Sequence, residues 1–531
     1  YAMLKMTGMD IDDPRMKKAR AMILQLGGIQ ECNSYVKVNY SFFDLFPRKY
    51  TPTIPPEILI IPGNLLYEMS SWTRTIVVPL TIIQAISGIK PTPGKLRIDE
   101  LLHPGKKLAL HRKDRIGNLF IKADTLFKRW ERQSVKKIRG HAIREAEHWM
   151  LDRLQYSDGL GAIYPAMMYA VMAMDALGYE RDHPDLLQAI RQFDDLILEG
   201  EESLIFQPCK SPVWDTAIAL FAFGELGLGD QERMTAAADW LLTKEIRRKG
   251  DWAAKRPELT PSGWVFEFAN EFYPDIDDTA MVLLALLHVK AGDPEKQARA
   301  ERRAVNWLLG MQSSDGGWAA FDVDNNWEIL NKVPFADHNA MLDPTCPDIT
   351  GRVLESLCRR GFEHTEPVIA DGIGFLLRQQ EKNGSWYGRW GVNYIYGTFL
   401  AIRGLVATGA PYVKTAVARG ARWLREVQNP DGGWGESCLG YDTQRFERTE
   451  STASQTAWAL LGLIAAGEIF SSAVLNGVAW LREHQREDGT WEESVTTGTG
   501  FPKVFYLRYH MYKDYFPILA LGTYARRMDA R

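Results

Sequence analysis

The stretch Gln428-Asn-Pro-Asp-Gly432-Gly-Trp434 is one copy of a motif that recurs along the chain and predicts its fold. Gln, Gly and Trp keep the same offsets in three further copies, at residues 312–318, 380–386 and 485–491. An aromatic residue lies five positions before each glutamine, at Trp307, Phe375, Trp423 and Trp480. Because the spacing is the same in every copy, we interpret the motif as an internal structural repeat.

Each copy lies between segments with helical periodicity, such as residues 304–311 and 421–427. The Asp-Gly-Gly and Asn-Gly sequences inside the motif are turns that end a helix. Repeated helix–turn–helix units of this length stack into a solenoid or close into an α/α barrel. We therefore predict an all-α fold. In it the repeated glutamine hydrogen-bonds backbone groups at the ends of neighbouring helices, and the tryptophan packs beside it.

The N-terminal 200 residues differ in composition from the rest of the chain. Prolines divide them into short pieces that include the apolar segments 58–62 and 76–83. The texture changes near Pro208 and Pro212, so we predict two domains, residues 1–208 and 209–531. The chain begins at Tyr1, directly in helix-like sequence. We expect that an N-terminal segment is missing.

Composition excludes several classes of function. The formal net charge is −4, so no basic field favours nucleic acid as a partner. The five cysteines are scattered without a Cys-x-x-Cys pair, which fits a reducing compartment and argues against a zinc ribbon. The sequence has no uncharged apolar run of about 18 residues, so it predicts no transmembrane helix. The 17 tryptophans are typical of proteins that bind sugars, cations or apolar polycycles.

Three aspartates, Asp275, Asp277 and Asp278, precede an apolar run that starts at Thr279. One interpretation is a helix start, with Asp275 as the N-cap and the other two facing the positive end of the helix dipole. The other is chemical, because crowded and buried carboxyl groups raise one another's pKa and can keep a proton at neutral pH. The two interpretations are compatible, since a helix N-terminus also positions an acid.

The segment 116–130 has the apolar spacing of one face of a helix, with Leu119, Phe127 and Trp130 among its members. Basic residues lie on both sides of it, at Lys106, Lys107, Arg112, Lys113, Arg115, Lys128, Arg129, Lys136 and Lys137. An aromatic amphipathic helix between basic clusters is typical of a membrane interface. An ordinary packed helix is the alternative.

Together these motifs resemble the squalene–hopene cyclases, the bacterial class II triterpene cyclases. The resemblance covers essentially the whole chain. It is carried by the Gln–Trp copies, by DIDDTA at 275–280, by SPVWDTA at 211–217, by WYGRWGVNYIYGT at 386–398 and by GTGFPKVFYLRYHMY at 498–512. The resemblance implies two α/α-barrel domains with a hydrophobic cavity between them. It also implies a homodimer bound monotopically, through the 116–130 helix, to the cytoplasmic face of a bacterial membrane.

The resemblance also implies the reaction, in which squalene is protonated at a terminal alkene and cyclised through carbocations to hopene or hopanol, without metal or cofactor. Asp277 would be the proton donor, supported by Asp275 and Asp278. A desolvated carboxylic acid whose conjugate base is stabilised can be strong enough for that step. Aromatic faces stabilise carbocations without trapping them. The positions that match the family's cavity are Trp72, Pro165, Trp214, Phe266, Phe321, Trp390, Phe501, Phe505, Tyr509 and Tyr512.

Two positions depart from the family pattern. Arg352 stands where many members have a histidine, and an arginine holds a carboxylate tightly but cannot relay a proton. Tyr164 precedes Pro165 where some relatives have glutamine, which bears on the product-forming step. By the resemblance, Asp348 and Tyr396 join Arg352 in the hydrogen-bond network of the acid.

Other functions stay open at this level. A cyclase acting on another linear polyprene and an α/α-barrel glycoside hydrolase both suit the tryptophans and carboxylates. A magnesium-dependent terpene synthase would need Asp-Asp-x-x-Asp, and the fifth position here is Met281. Cys346 and Asp348 do not make a convincing zinc set, and the segment 322–333 lacks the glycine and glutamate of a calcium loop. A lipid-binding or scaffold barrel is the non-enzymatic alternative.

Overall fold

A computed structural model describes residues 1–86, 90–110, 115–133 and 135–529. The chain forms two compact units that are discontinuous in sequence. Unit 1 comprises residues 1–152, 165–193 and 327–342, and unit 2 comprises residues 153–164, 194–326 and 343–531. The sequence predicted continuous domains instead, and its boundary at residue 208 stays a prediction.

The described residues are mostly helical, as the repeat predicted. In chain order the helices are α1 (Ala2–Met6), α2 (Pro14–Gln25), α3 (Ser34–Phe42), α4 (Ser71–Ile86), α5 (Arg115–Gln133), α6 (Lys136–Gln155), α7 (Tyr164–Leu177), α8 (Pro184–Asp194), α9 (Pro212–Leu226), α10 (Gln231–Thr243), α11 (Ile276–Leu286), α12 (Pro294–Gly310), α13 (Pro347–Cys358), α14 (Pro367–Gln379), α15 (Tyr394–Ala407), α16 (Lys414–Glu426), α17 (Gly440–Thr443), α18 (Ala453–Ala465), α19 (Ser472–Glu483) and α20 (Tyr512–Asp529). Two antiparallel hairpins pair β1 (Ile197–Glu199) with β2 (Leu204–Phe206) and β3 (Gly498–Phe501) with β4 (Phe505–Leu507).

Unit 2 is built around a closed ring of inner helices. Helix α9 packs against α11, α11 against α13, α13 against α15, α15 against α18 and α18 against α20, and α20 packs back against α9. Helices α10, α12, α14, α16 and α19 each follow an inner helix in sequence and pack against it. The inner helix α11 is buried along its whole length, whereas α16 buries one stripe of small and apolar residues. This arrangement is an α/α barrel.

The repeated motif fastens these helices to one another. The side-chain amides of Gln312, Gln380 and Gln428 each donate to two carbonyl oxygens at 2.7–2.9 Å, one inside the turn and one on the next outer helix. The indole Nε1 of the motif tryptophan donates to the carbonyl of a leucine ten residues earlier, at 2.7–2.8 Å, in all four copies. The predicted structural role of the motif is therefore confirmed.

One tryptophan makes the same indole hydrogen bond, which we call a staple, outside the sequence motif. Trp264 Nε1 donates to the Leu241 carbonyl at 2.6 Å, as the motif tryptophans do with their leucines. The motif glutamine and glycine are absent before Trp264, and this is why the sequence pattern does not reveal it. The staple holds the loop that precedes α11.

We expect Gln428→Ala to lower the free energy of unfolding by about 2 kcal/mol, because two carbonyl groups lose a hydrogen-bond donor. Gln485→Ala is the matched control, since the exposed Gln485 bonds one carbonyl inside its own turn. Its loss should be below about 0.5 kcal/mol. Chemical unfolding followed by circular dichroism measures both. Equal losses for the two variants would contradict the stapling role.

In unit 1, hydrogen bonds tie the segment 327–342 to helices that lie far earlier in the sequence. The Ser34 N–H donates to Asp337 Oδ2 at 2.7 Å, and the Ser70 N–H donates to the Met341 carbonyl at 2.9 Å. The Thr73 hydroxyl donates to the Ala340 carbonyl at 2.9 Å. These bonds explain why this segment belongs to unit 1, although both flanking segments belong to unit 2.

Helix α5 confirms the predicted helix at 116–130, and four of its apolar residues, Leu119, Leu126, Phe127 and Trp130, are exposed. Leu119, Leu126 and Trp130 are 66%, 63% and 41% exposed. Asp124, in contrast, is buried, accepts a hydrogen bond from the Thr53 N–H at 2.7 Å and pairs with Lys128. An ordinary packed helix would bury the apolar residues instead. The flanking Arg112 and Lys113 lie outside the described residues, as do the side chains at 115 and 116.

Candidate active site

The three aspartates begin the inner helix α11 in unit 2. Asp275 is the N-cap, and its Oδ1 accepts hydrogen bonds from the N–H groups of Asp277 at 2.6 Å and Asp278 at 3.1 Å. The Trp264 staple fixes this start, because the Asp275 N–H donates to the Trp264 carbonyl and the Trp264 N–H donates to the Thr279 hydroxyl. The predicted helix cap is therefore confirmed.

All three carboxyl groups are buried in the fold and have raised pKa values. Burial and then the neighbouring Asp277 raise the pKa of Asp275 well above its ordinary value. Burial, Asp275 and Asp277 do the same for the pKa of Asp278, whose Oδ1 makes no hydrogen bond among the described residues. Burial also raises the pKa of Asp277, although Arg352 opposes the rise. Burial therefore favours the neutral forms of Asp275 and Asp278.

Asp277 pairs with a cation, and neither Asp275 nor Asp278 has such a pair among the residues that the structure describes. Arg352 Nε, on α13, donates to Asp277 Oδ1 at 2.6 Å, and Arg352 Nη2 donates to the Tyr396 hydroxyl at 2.8 Å. The guanidinium also lies over the Trp214 ring, 5.0 Å from its centroid. Arg352 is buried, so its charge acts on Asp277 with little screening by water. The pair can hold a proton on Asp277 and stabilise the carboxylate that forms when the proton leaves.

Aromatic rings continue from this pair in contact with one another. Trp214 lies 6.5 Å from Phe266, Phe266 lies edge-on to Tyr509 at 6.1 Å, and Tyr509 stacks on Tyr512 at 4.3 Å between centroids. Trp214 Nε1 donates to the Tyr512 hydroxyl at 2.9 Å, which closes the set. The structure thus brings together four of the aromatic residues predicted from the sequence.

Trp458 is an aromatic residue of this cluster that the sequence reasoning missed. Its ring lies 4.8 Å from Tyr396 and 5.9 Å from Tyr512, and Phe516 packs against it at 5.6 Å. Trp458 is fully buried in α18, and its Nε1 makes no hydrogen bond among the described residues. It joins the Arg352 partner Tyr396 to the aromatic set.

Asp348 and Trp390 lie at a second part of unit 2. Asp348 Oδ2 accepts hydrogen bonds from the N–H groups of Arg389 at 2.8 Å and Trp390 at 2.9 Å, so its direct bonds shape the backbone. The Thr499 N–H donates to the Trp390 carbonyl, which attaches the β3–β4 hairpin. This hairpin carries Phe501 and Phe505, whose ring centroids are 6.1 Å apart.

The remaining predicted residues are less closely tied to the acid. The Phe321 N–H donates to Asp343 Oδ2 at 2.7 Å, which fixes its backbone in unit 2. Trp72, in α4, and Pro165, at the start of α7, both belong to unit 1. Their places in the site stay predictions.

The repeat itself carries a signal that would have located the site. In four copies, counting Trp264, the backbone N–H of the tryptophan donates to a threonine hydroxyl of the following inner helix, at 2.9–3.0 Å. The residues two positions before these threonines are Asp277, Asp348, Tyr396 and Ser454. Trp214 has the same position relative to Thr216, and Tyr512 has it relative to Asp514, which accepts the bond from the Trp491 N–H. One repeat position therefore supplies five of the predicted site residues, namely Asp277, Asp348, Tyr396, Trp214 and Tyr512.

Glu436 caps the helix that carries Tyr396. Its Oε2 accepts hydrogen bonds from the N–H groups of Asn393 and Ile395, at 3.1 and 3.0 Å. Burial raises the pKa of Glu436 to about 7, although these backbone N–H groups oppose the rise. A buried carboxyl with a raised pKa favours the folded state while it is neutral and opposes folding once it ionises.

We therefore expect stability to fall as pH rises from about 4.5 to about 7, by about 3 kcal/mol from this group. Glu436→Gln should not show this component. The free energies of unfolding of both proteins between pH 5 and pH 8 measure it. A parallel pH dependence in parent and variant would contradict the assignment.

In the described part of the chain, no group of three or more His, Cys, Asp or Glu side chains is arranged to hold a metal ion. Likewise, no helix described there has the length and apolar character needed to cross a bilayer.

An α/α barrel whose inner ring holds a buried acid among contacting aromatic rings is the arrangement of a class II terpene cyclase. Family models agree: the squalene–hopene cyclase N-terminal domain matches residues 1–202, and the C-terminal domain matches residues 210–526. The chain belongs to the squalene–hopene cyclase family.

Individual relatives are similar over almost the whole chain. The squalene–hopene cyclase of Zymomonas mobilis is 41% identical, with 99% of this chain and 82% of the relative covered. The squalene–hopene cyclase of Alicyclobacillus acidocaldarius is 38% identical, with 100% of this chain and 85% of the relative covered. A dammaradiene synthase of Dryopteris crassirhizoma is 37% identical, with 100% and 82% covered.

Proposed function

We propose that this protein cyclises squalene to hopene, with hopanol as the product when water captures the final cation. The observation that supports the proposal most is the buried Asp277–Arg352 pair beside contacting aromatic rings. The names of two relatives, both squalene–hopene cyclases, support squalene as the substrate.

In the first step, the Asp277 O–H bond breaks and a C–H bond forms at the terminal alkene, which leaves a tertiary carbocation. A solvated carboxylic acid is far too weak for this transfer. Here the site lowers the energy of the product carboxylate, because Arg352 Nε lies 2.6 Å from Asp277 Oδ1 before the proton moves. Burial raises the pKa values of Asp275 and Asp278, which disfavours negative charge on them that would oppose this carboxylate.

The cation then passes along the chain as successive π bonds close rings. Trp214, Phe266, Tyr509 and Tyr512 offer aromatic faces and few nucleophilic atoms, so they stabilise positive charge without bonding to it. Burial keeps the pKa of Tyr512 well above its ordinary value, so its hydroxyl stays neutral and weakly nucleophilic. Loss of a proton gives hopene, and addition of water gives hopanol.

Another product or another linear polyprene is the alternative within the same mechanism. The dammaradiene synthase is nearly as similar to this chain as the squalene–hopene cyclases are, and its name indicates a different product. The protonation step is the same in both cases, so the acid does not decide between them.

We also propose that α5 lies in one leaflet of a membrane. Its exposed Leu119, Leu126 and Trp130 support this, as does the burial of Asp124 on the protein side. Leu126→Glu should reduce co-sedimentation with lipid vesicles, whereas Leu228→Glu, at a similarly exposed leucine in unit 2, should not. Equal binding of both variants would contradict the proposal. The homodimer and the cytoplasmic membrane face stay predictions.

The experiment that tests the function is incubation of detergent-solubilised protein with squalene, followed by gas chromatography and mass spectrometry. We expect hopene with a smaller amount of hopanol. Turnover of a different polyprene but not squalene would change the substrate and keep the mechanism. Turnover of a glycoside without any polyprene cyclisation would overturn the proposal.

A further inference from the structure

Helix α13 carries a stripe of charged residues through the interior of the unit 2 barrel. Asp348, Arg352, Glu355 and Arg359 recur at intervals of three or four residues and therefore share one face of the helix. The first three are buried, with at most 5% of each residue exposed. Buried ionised residues are rare unless they are paired, so this stripe needs partners on neighbouring helices.

The partners form a chain of ion pairs that leads away from the acid. Glu355 binds Arg403 of α15 through both carboxylate oxygens, with Arg403 Nε to Glu355 Oε2 at 2.8 Å, and it also lies 3.5 Å from Arg359. Arg359 in turn donates to Glu225 of α9 at 2.7 Å, and His288 lies 3.0 Å from the same Glu225 oxygen. Arg352 lies one turn from Glu355 on α13, and we call the Asp277–Arg352 pair together with these Glu355, Arg359, Arg403 and Glu225 pairs the ion-pair ladder.

The ladder places three cations beside three anions. The cations are Arg352, Arg359 and Arg403, and the anions are Asp277, Glu355 and Glu225. Glu355 is in contact with Arg359 and Arg403. It also lies one turn from Arg352 on the same helix. Glu355 stays ionised there, because its arginine neighbours hold its pKa below the ordinary value although burial opposes this.

We propose that Glu355 is a positioning residue of the acid: it holds the ladder arginines and offsets part of the positive charge that Arg352 brings to Asp277. The proposal rests on the proposed function, since it concerns the strength of the same acid. Without the negative charge of Glu355, Arg352 would bind the Asp277 carboxylate so tightly that protonated Asp277 would be depleted at physiological pH.

Other ionisable groups lie near Asp277, Arg352 and Glu355. Asp277 faces Asp275 and Asp278 on its own helix and Asp348 on α13, and Arg352 faces Tyr396 of α15 and Tyr512 of α20. On the outer side, Arg360 pairs with Glu301 of α12. Asp371 and Arg378 of α14 lie at the turn that contains Asp315 and Gly316. Glu355→Gln changes none of these groups directly.

The test is the pH dependence of kcat for two variants with opposite expected shifts. Glu355→Gln removes a buried negative charge, so the alkaline limb should move to lower pH by about one unit. Arg403→Gln removes a buried positive charge, so the limb should move to higher pH by a similar amount. Glu301→Gln, which alters the ion pair between α12 and Arg360 just past the end of α13, should leave the profile in place.

Two readouts separate this proposal from the proposed function. The infrared band of the protonated Asp277 carboxyl, identified by its loss in Asp277→Asn, reports the same titration without turnover. An inactive parent would remove the proposed function. The pH at which the band is half lost should still be lower in Glu355→Gln and higher in Arg403→Gln than in the parent. If folded variants of both kinds show an unshifted titration, or shift in the same direction, Glu355 has no such role. Circular dichroism establishes which variants are folded.

Discussion

Replacing Asp277 with asparagine should lower kcat for squalene cyclisation by about 10³-fold or more, because the variant has no proton to give. Asparagine has nearly the same shape as aspartic acid, and its carbonyl oxygen can still accept the hydrogen bond from Arg352. The fold should therefore persist, and the thermal midpoint should change little. Product formation over time, measured by mass spectrometry with equal amounts of folded protein, gives the ratio.

Asp293→Asn is the matched control for this substitution. Asp293 is also an aspartate at a helix start, where it caps α12, and it is exposed. Its replacement should leave kcat within about twofold of the parent, since asparagine caps helices as well as aspartate does. An active Asp277→Asn variant would move the proton donor to another group, and the buried Asp278 would be the next candidate.

Replacing Arg352 with methionine should lower kcat by about 10²-fold, because the Asp277 carboxylate loses the cation that stabilises it. The same change should move the alkaline limb of the pH profile to higher pH. Burial raises the pKa of Asp277 and Arg352 lowers it, so removing Arg352 leaves the upward effect unopposed. Asp277 would then be protonated over a wider range of pH, but it would be a weaker acid.

Arg360→Met is the control, because Arg360 lies just past the C-terminal end of α13 and pairs with Glu301 of α12. Its effect should appear in the free energy of unfolding and not in the pH profile. If Arg352→Met kept full activity with an unchanged profile, the arginine would be a structural ion pair with no part in proton transfer.

The barrel was predictable because its information is local and repeated. The glutamine and tryptophan of each copy make the same hydrogen bonds, so a fixed spacing in the sequence becomes a fixed geometry. Trp264 was missed because it makes the tryptophan bond with Glu258 and Ser262 at the positions of the motif glutamine and glycine. A pattern search finds complete motifs, whereas the structure shows the bond itself.

The site was predictable in part for the same reason. Asp275, Asp277 and Asp278 are adjacent in sequence, and the helix cap that arranges them is local. Trp458 was missed because a tryptophan on an apolar helix gives no local sign of its neighbours. The Asp277–Arg352 contact joins residues 75 positions apart. It could be expected only from the family resemblance.

The domain division shows the limit of reading composition along a chain. The change of texture near residue 208 is real, but the segment 327–342 returns to unit 1 through bonds such as Ser34 to Asp337. Proline frequency and apolar runs describe each stretch by itself. Neither proline frequency nor apolar runs indicate that a segment packs far from its sequence neighbours.

Cyclisation in D₂O tests whether a protein carboxylic acid that is reloaded from solvent protonates the alkene. Exchange places deuterium on Asp277 before each turnover, so every hopene molecule should contain one deuterium on the first-ring CH₂ carbon next to the carbon that bears two methyl groups. The product mass should rise by one unit, and Asp277→Asn should form neither labelled nor unlabelled product. Unlabelled hopene from the parent, or labelled hopene from the variant, would contradict the account.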